Sequence, residues 1–290
     1  MAVIAARPKL ALKKVLVLTD FSPTSELAVQ HAIAIARHYG SKVHLVHAVP
    51  PLPKGSHQAS DLQVASATEK LRHTVESCPD LSCSQWVLTG TTLGVAERIL
   101  SFDDVDLVIV GTHGAKGFRR MAIGAAAEHF FRHVHCPVLA IGPSANITHA
   151  FWEPRRILLA TDLQSDEVVA TTCAALIANE RDAELALLHV APPMATSFPD
   201  NQNEVARPYF EKRLRKLISY KHELERAPEF WVEFGADPAA EIVRVVRERA
   251  IDLLVLSVHR QEPWGFHFVH EAYRIVAEAP CPVLITQRRF

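Results

Sequence analysis

The chain is poor in cysteine, nearly free of net charge and without any long apolar run. Its five cysteines, Cys78, Cys83, Cys136, Cys173 and Cys281, are odd in number and none form Cys-x-x-Cys. In 290 residues that excludes a disulfide framework and points to a reducing, cytoplasmic setting, with each cysteine a small buried hydrophobe. A formal charge of −1 argues against a nonspecific nucleic-acid binder, which would be basic. No apolar run reaches the ~18 residues of a membrane span. The first residues, MAVIAARPKLALKK, have no basic segment ahead of an apolar one, so they are expected to be a loosely held tail and not a secretory signal. Gly-x-Ser-x-Gly, His-Glu-x-x-His and Gly-Lys-Ser/Thr are all missing, and no nucleophile with a partnered base is evident.

What is present is a repeat. KKVLVLTDFSPTSELAVQHAIAIARHYGSKVHLVHAVPP (13–51) is echoed by RRILLATDLQSDEVVATTCAALIANERDAELALLHVAPP (155–193). VDLVIVGTHG (105–114) is echoed by IDLLVLSVHR (251–260), and HCPVLAIG (135–142) by PCPVLITQ (280–287). A period this long exceeds that of solenoids and means two copies of one domain. The expected boundaries are 1–144 and 155–290, with a linker at about 143–154. The apolar content, 49% of the chain, suffices for two packed cores.

Within the first copy, short apolar runs alternate with helical patterns. Strands are expected at 15–19, 43–49, 85–89, 106–111 and 137–141. Helices are expected between them, at about 60–77, 92–101 and 123–134, and from Ser22 as N-cap with Pro23 in the first turn to Gly40 as terminator. Alternation of this kind implies an α/β fold, a five-stranded parallel sheet with helices on both faces and right-handed crossovers. With the first strand central, the strand order is 3-2-1-4-5, and ligands belong beyond the carboxyl ends of strands one and four.

Two features converge there. Asp20 follows the first strand, and its carboxylate suits a ribose hydroxyl. Gly111-Thr-His-Gly114 follows the fourth, where glycines let backbone approach a phosphate. Gly124 opens the next helix, so its amide and that of Ala125 can face an anion. Lys116, Arg119 and Arg120 lie between.

Among the sixteen histidines, His129 and His133 are four apart on one helix, His135 follows, and His113 is the candidate third ligand. The arrangement reads as a polar helix face, with no metal centre expected. His44 and His47 fall on opposite sides of a strand and form no joint site. His113 and His259 hold equivalent places in the two copies, which reads as loop structure.

The stretches VLVLTDFSPTSELAV (15–29), VHLVHAVPP (43–51) and DLVIVGTHGAKGFRRMAIGAAAEHFFRHVHCPVLAIG (106–142) resemble the universal stress protein family in its tandem two-domain form. The resemblance covers nearly the whole chain. It implies two tandem Rossmann-like domains of the adenine nucleotide alpha hydrolase-like kind, paired through their fifth strands at Val138–Ile141 and Val283–Ile285. ATP-binding members carry Gly-x2-Gly-x9-Gly-(Ser/Thr). By that resemblance Asp20 contacts the ribose, backbone near Val49 reads the adenine, and Gly111, Gly114, Gly124 and position 125 hold ribose and phosphates. ATP, ADP or AMP would be the ligand, with or without Mg.

Position 125 departs from the pattern: alanine keeps the amide and loses the hydroxyl. A hydrogen bond to a charged group contributes roughly 1.5–3 kcal/mol. Its loss weakens binding by about 10- to 100-fold. The second copy departs further. Ser257, Arg260 and His270-Glu271 keep the spacing, but every glycine is gone and Glu271 sets a carboxylate where a phosphate would sit. Asp162 alone matches Asp20. The expectation is therefore a nucleotide-responsive regulatory protein, not an evolved enzyme, with one weak adenine-nucleotide site in the first copy. A nucleotide-free scaffold presenting a protein surface and a slow nucleotide hydrolase are the alternatives. Symmetry preference makes a homodimer the expected assembly. A protein partner is expected but not identified; nucleic acid and membrane are not expected partners.

Overall fold

A computed structural model describes residues 10–51, 57–112, 134–145, 152–163, 168–193, 202–218, 224–258 and 266–287. The first copy supplies β1 (Lys14–Leu18), α1 (Pro23–Tyr39), β2 (Lys42–Val49), α2 (His57–Glu76), β3 (Cys83–Thr89), α3 (Thr92–Leu100), β4 (Leu107–Gly111) and β5 (Val138–Ile141). The second supplies β6 (Arg156–Ala160), α4 (Val168–Arg181), β7 (Glu184–Ala191), α5 (Gln202–Ile218), β8 (Glu229–Phe234), α6 (Pro238–Glu248), β9 (Leu253–Val258), α7 (Phe266–Glu278) and β10 (Val283–Gln287). The helix expected over 123–134 falls, Val134 apart, outside the described residues.

Among the described residues, the strands form one ten-stranded sheet of order β3-β2-β1-β4-β5-β10-β9-β6-β7-β8. Each half has the expected 3-2-1-4-5 order and parallel pairing. The halves meet where β5 and β10 run antiparallel, with Val283 opposite Ala140, Leu284 opposite Leu139 and Ile285 opposite Val138. Leu139 and Leu284 are equivalent positions of the repeat, so the approximate two-fold axis passes between them. The fifth-strand pairing is as expected.

The strands form because their residues are apolar on both faces. Val15, Leu16 and Val17 are all fully buried, as a parallel strand between two helical layers requires. Two cores are present, but they are not one per copy. Leu16, Val108 and Val138 share a cluster with Leu158, Leu254 and Val283. Val15, Ile109 and Leu139 share another with Ile157, Val255 and Leu284. Each core is one face of the sheet and runs unbroken across the seam, because joining β5 to β10 makes two half-cores continuous.

Local chemistry sets the helix ends. Ser22 Oγ accepts from Ser25 N at 3.4 Å, Pro23 occupies the first turn, and Gly40 ends α1 at φ +69°. In the second copy Asp237 caps α6 by accepting from Ala240 N at 3.1 Å, and Pro238 follows. Burial of the cysteines is as expected for four of five, Cys83 being half-buried. It pushes the Cys173 thiol up to about 11 and the Cys281 thiol up to about 12.

Side chains also cross between the copies. Glu180 of α4 accepts from Tyr39 Oη at 2.6 Å and from Leu10 N at 2.5 Å. Burial, then the Glu180 carboxylate, drives the Tyr39 pKa well above its ordinary value. Beyond β5, Gly142 meets α7 so closely that a Cβ there would lie 1.9 Å from the Val276 carbonyl oxygen. Ser144 Oγ donates to the next carbonyl, that of Ala277, at 2.9 Å.

Candidate functional site

The corner beyond β1 and β4 is shaped by a short chain of hydrogen bonds. Thr19 N donates to Val46 O at 2.9 Å, fixing the end of β1 against β2. Thr19 Oγ1 lies 3.1 Å from Ser25 Oγ and accepts from Phe21 N at 3.0 Å. Asp20 Oδ1 accepts from Ser22 N at 3.0 Å, closing an Asx turn into α1. Phe21 sits at φ +62°, a left-handed conformation costly for a bulky residue. Strain of this kind is held where surrounding contacts over-determine it. Here the Phe21 ring packs on the His47 ring at 4.6 Å between centroids, and Lys70 Nζ lies over the Phe21 ring, 4.7 Å from its centroid. The result is a fixed, exposed Asp20 at the carboxyl end of the central strand.

Of the predicted site residues, the structure brings Asp20, Gly111 and Val49 to one end of the sheet. Gly111 ends β4, next to β1. Its missing side chain has a packing reason: a Cβ would lie 2.7 Å from Ser25 N and from Thr24 C. The first turn of α1 therefore requires glycine here whether or not a phosphate is bound. Val49 is buried at the end of β2, and its carbonyl accepts from Gly90 N at 2.9 Å. Thr112 is buried, donating through N and Oγ1 to Ile141 O at 3.0 and 3.2 Å. Gly114, Gly124 and Ala125 lie outside the described residues, as do Lys116, Arg119, Arg120, His113, His129, His133, His259 and Arg260.

The second copy repeats the corner. Thr161 N donates to Leu188 O at 2.9 Å, Thr161 Oγ1 accepts from Leu163 N at 2.9 Å, and Leu163 has φ +59°. His189 Nδ1 donates to Thr161 O at 2.9 Å, as His47 Nδ1 does to Thr19 O at 2.8 Å. The sequence weighed His47 only against His44 and did not single out His189. The repeat alignment itself places one histidine in each HV or HA step before Pro-Pro, and that was the available signal. Burial holds the His189 pKa below the ordinary histidine value, against the opposing pull of its bond to Thr161.

Beyond this second corner opens a cleft of about 270 Å³. Its walls are largely apolar, with Leu188, Ile242 and Ile275 among them, and Asp162, His189 and Glu271 among its polar groups. It occupies the place that Asp20 and Gly111 mark in the first copy.

A separate cluster sits at the opposite, amino end of β2 and β3. Buried His44 has Nδ1 2.7 Å from Ser84 Oγ and Nε2 3.0 Å from Asp103 Oδ2. The sequence offers no nucleophile with a partnered base by motif, and these three residues come from separate segments that only the fold brings together. Asp103 is also bonded by Lys14, which holds its carboxyl below the usual range. Trp86 Nε1 lies 3.3 Å from both His44 Nδ1 and Ser84 Oγ. Burial lowers the His44 pKa, and the neighbouring Asp103 only partly offsets it. The cluster seats a buried imidazole between β3 and the turn after α3. Among the described residues no three His, Cys, Asp or Glu gather as a metal site, and no helix is long and apolar enough to cross a membrane.

Sheet order and tandem repeat define a two-domain doubly wound α/β protein, with a like corner at the switch point of each copy. The family model described as Universal stress protein family matches residues 11–142 and 153–287. The chain belongs to that family. It is 30% identical over 140 residues to a universal stress protein of Methanocaldococcus jannaschii, covering 44% of this chain and 81% of that protein. A putative universal stress protein of Staphylococcus aureus is 26% identical over 143 residues, covering 44% and 83%. The crystal structure of a universal stress protein from Archaeoglobus fulgidus has the same fold over 95% of this chain and 98% of that one, at TM-score 0.66 and 14% identity. That of a putative universal stress protein from Pseudomonas aeruginosa covers 96% and 94%, at TM-score 0.62 and 18% identity.

Proposed function

We propose that the first copy is a weak adenine-nucleotide site and that the protein is a nucleotide-responsive regulator. The observation that carries this reading is the Thr19–Ser25 turn, which fixes Asp20 beside the end of β4 at the point where strand order reverses. Asp20 would hold the ribose, backbone at Val49 the adenine, and the loop from Gly111 through Gly114 to Gly124 and Ala125 the phosphates. Gly111 contributes less to this reading than its motif suggests, because α1 already demands a glycine there. The weight falls on Asp20, Gly114 and Gly124.

The second copy is read as silent toward triphosphates: Glu271 lines its cleft and no glycine remains in the corresponding loop. A nucleotide-free scaffold is favoured by one observation, the alanine at position 125.

The test is direct. The purified chain is denatured and the supernatant chromatographed for released nucleotide, then ATP-Mg is titrated into stripped protein. Adenine nucleotide near one per chain, lost in Asp20→Ala and kept in Asp162→Ala, supports the reading. Equal loss in both variants, or no binding at millimolar ATP, overturns it in favour of a scaffold.

A further inference from the structure

The His44 cluster at the amino end of β2 and β3 belongs to the first copy alone, although the backbone that carries it is repeated. His44 lies opposite Ser84 across β2 and β3, and Ala186 lies opposite Glu229 across β7 and β8. Trp86 and Trp231 follow two residues later on the same strands. Asp103 stands three residues before Asp106, which accepts from Lys13 N and Lys14 N. Arg249 stands three before Asp252, which accepts from Arg155 N and Arg156 N. The second copy therefore has Ala, Glu and Arg where the first has His, Ser and Asp. There the place of the imidazole is a cleft of about 160 Å³, with Ala186, Glu229, Trp231 and Arg249 in its lining. The fold forms without the histidine, so packing alone does not account for burying one.

The protons of the cluster can be assigned. Trp86 Nε1 can only donate, and it donates to His44 Nδ1 at 3.3 Å. Nδ1 therefore carries a lone pair and Nε2 the ring proton. Ser84 Oγ, 2.7 Å from the same Nδ1, is then the donor of that pair. Nε2 faces Asp103 Oδ2 at 3.0 Å, a contact of charge more than an aligned hydrogen bond. A carboxylate in that position steadies an imidazolium. Burial keeps the ring neutral until a proton reaches it. Ser84 itself is half-buried on β3, a strand at the edge of the sheet. Phe102, 58% exposed, sets its ring 5.9 Å from that of Trp86 and forms an apolar ledge beside the cluster.

We infer that Ser84 is a nucleophile activated by His44, and that the cluster cleaves carboxylic esters whose apolar acyl group rests on Phe102 and Trp86. Ser84 Oγ bonds to the ester carbonyl carbon as its proton passes to His44 Nδ1. The carbon–alkoxy bond then breaks, and His44 returns the proton to the leaving alcohol. Water repeats both steps on the acyl-serine, which releases the carboxylic acid and restores Ser84. Trp86 Nε1 is also 3.3 Å from Ser84 Oγ, so its N–H can turn to the carbonyl oxygen once Nδ1 is protonated. One donor where acyl-transfer sites offer two sets turnover about 10²- to 10³-fold below theirs.

The experiment mixes the full chain with p-nitrophenyl butyrate, follows release of nitrophenolate and maps the acylated residue by mass spectrometry of a digest. A butyryl group on Ser84 is expected, with turnover reduced by about a hundredfold or more in Ser84→Ala and in His44→Ala. His44→Ala copies Ala186 of the second copy, and His44→Gln, closer in size, is the second variant. Circular dichroism verifies that each is folded. Surface histidines and lysines also react with such esters, and the rate left in Ser84→Ala measures that background. The inference is overturned if the label is absent from Ser84, if Ser84→Ala hydrolyses the ester like the parent, or if the His44 variants still acylate Ser84 at the parent rate.

Discussion

Substituting Gly142 by alanine should loosen the joint between the two copies. The residue is buried just past β5, and its Cα faces the last turns of α7. A Cβ built there falls 1.9 Å from Val276 O and 3.1 Å from Val276 C. Contacts below 3.0 Å are essentially not seen for real Cβ atoms, so the two backbones must part by roughly 1 Å or more. The obstacle is a helix carbonyl, which cannot rotate aside as a side chain can. Retreat of α7 would also stretch the Ser144–Ala277 hydrogen bond and disturb Val276, which is fully buried. Overpacking costs ~1–3 kcal/mol, and a backbone obstacle at the seam places Gly142→Ala at about 2–3 kcal/mol or above. Gly40→Ala is the control: Gly40 has φ +69° but open space around it, so only the left-handed conformation is penalised, by about 1 kcal/mol. Urea unfolding followed by tryptophan fluorescence and by far-ultraviolet dichroism measures both. If Gly142→Ala loses no more stability than Gly40→Ala, the close approach of β5 and α7 is refuted.

Acid should destabilise the fold through His31, whose pKa burial lowers to about 4. The unfolded chain takes the proton first, so stability is full above an unfolded pKa of ~6.5 and falls by ~1.4 kcal/mol per pH unit down to about 4. The total is about 3 kcal/mol, and His31→Leu should flatten that part of a stability–pH profile; an unchanged slope would show that His31 is not responsible. Glu180→Ala removes the acceptor shared by Tyr39 Oη and Leu10 N and should cost roughly 1.5–3 kcal/mol, with Tyr39→Phe costing less, as read by thermal or urea unfolding. Ser22→Ala removes the cap of α1 and should cost ~1 kcal/mol, while Ser22→Asn should keep most of the stability. Equal losses in those two variants would mean that Ser22 Oγ does not act as the cap.

The first copy's framework was legible because its local signals are strong. Ser22, Pro23 and Gly40 mark both ends of α1, and all-apolar runs such as Val15–Val17 mark strands buried on both sides. The central position of β1 followed from the alternation of strands and helices, and it located the ligand corner. Features that depend on distant residues were not legible. Gly142 looked like the last residue of the first copy's final repeat segment, next to the linker, and only the fold sets it against Val276. Glu180 looked like an ordinary helix-end carboxylate until α1 and α4 were brought together. Gly111 was read for phosphate, although Thr24 and Ser25 suffice to require it. The Ser84–His44–Asp103 cluster joins three segments with no motif in common, so no spacing could have announced it. The second copy's missing glycines were legible as a departure from the first copy's pattern, but a sequence does not say that a cleft stands beyond β6 and β9.

The seam at Leu139 and Leu284 bears on how the two copies can change. When identical chains pair about a two-fold axis, every substitution appears twice, and each surface must fit its own mirror role. Here both sides of the axis are encoded separately within one polypeptide, so a change in one copy leaves the other untouched. Gly142 can lie against Val276 while its counterpart in the repeat is Gln287, at the end of β10. The same freedom allows Ser257 and Glu271 on one side and Gly111 and Ala125 on the other. Covalent linkage has turned a symmetry constraint into two independently editable halves on a common sheet.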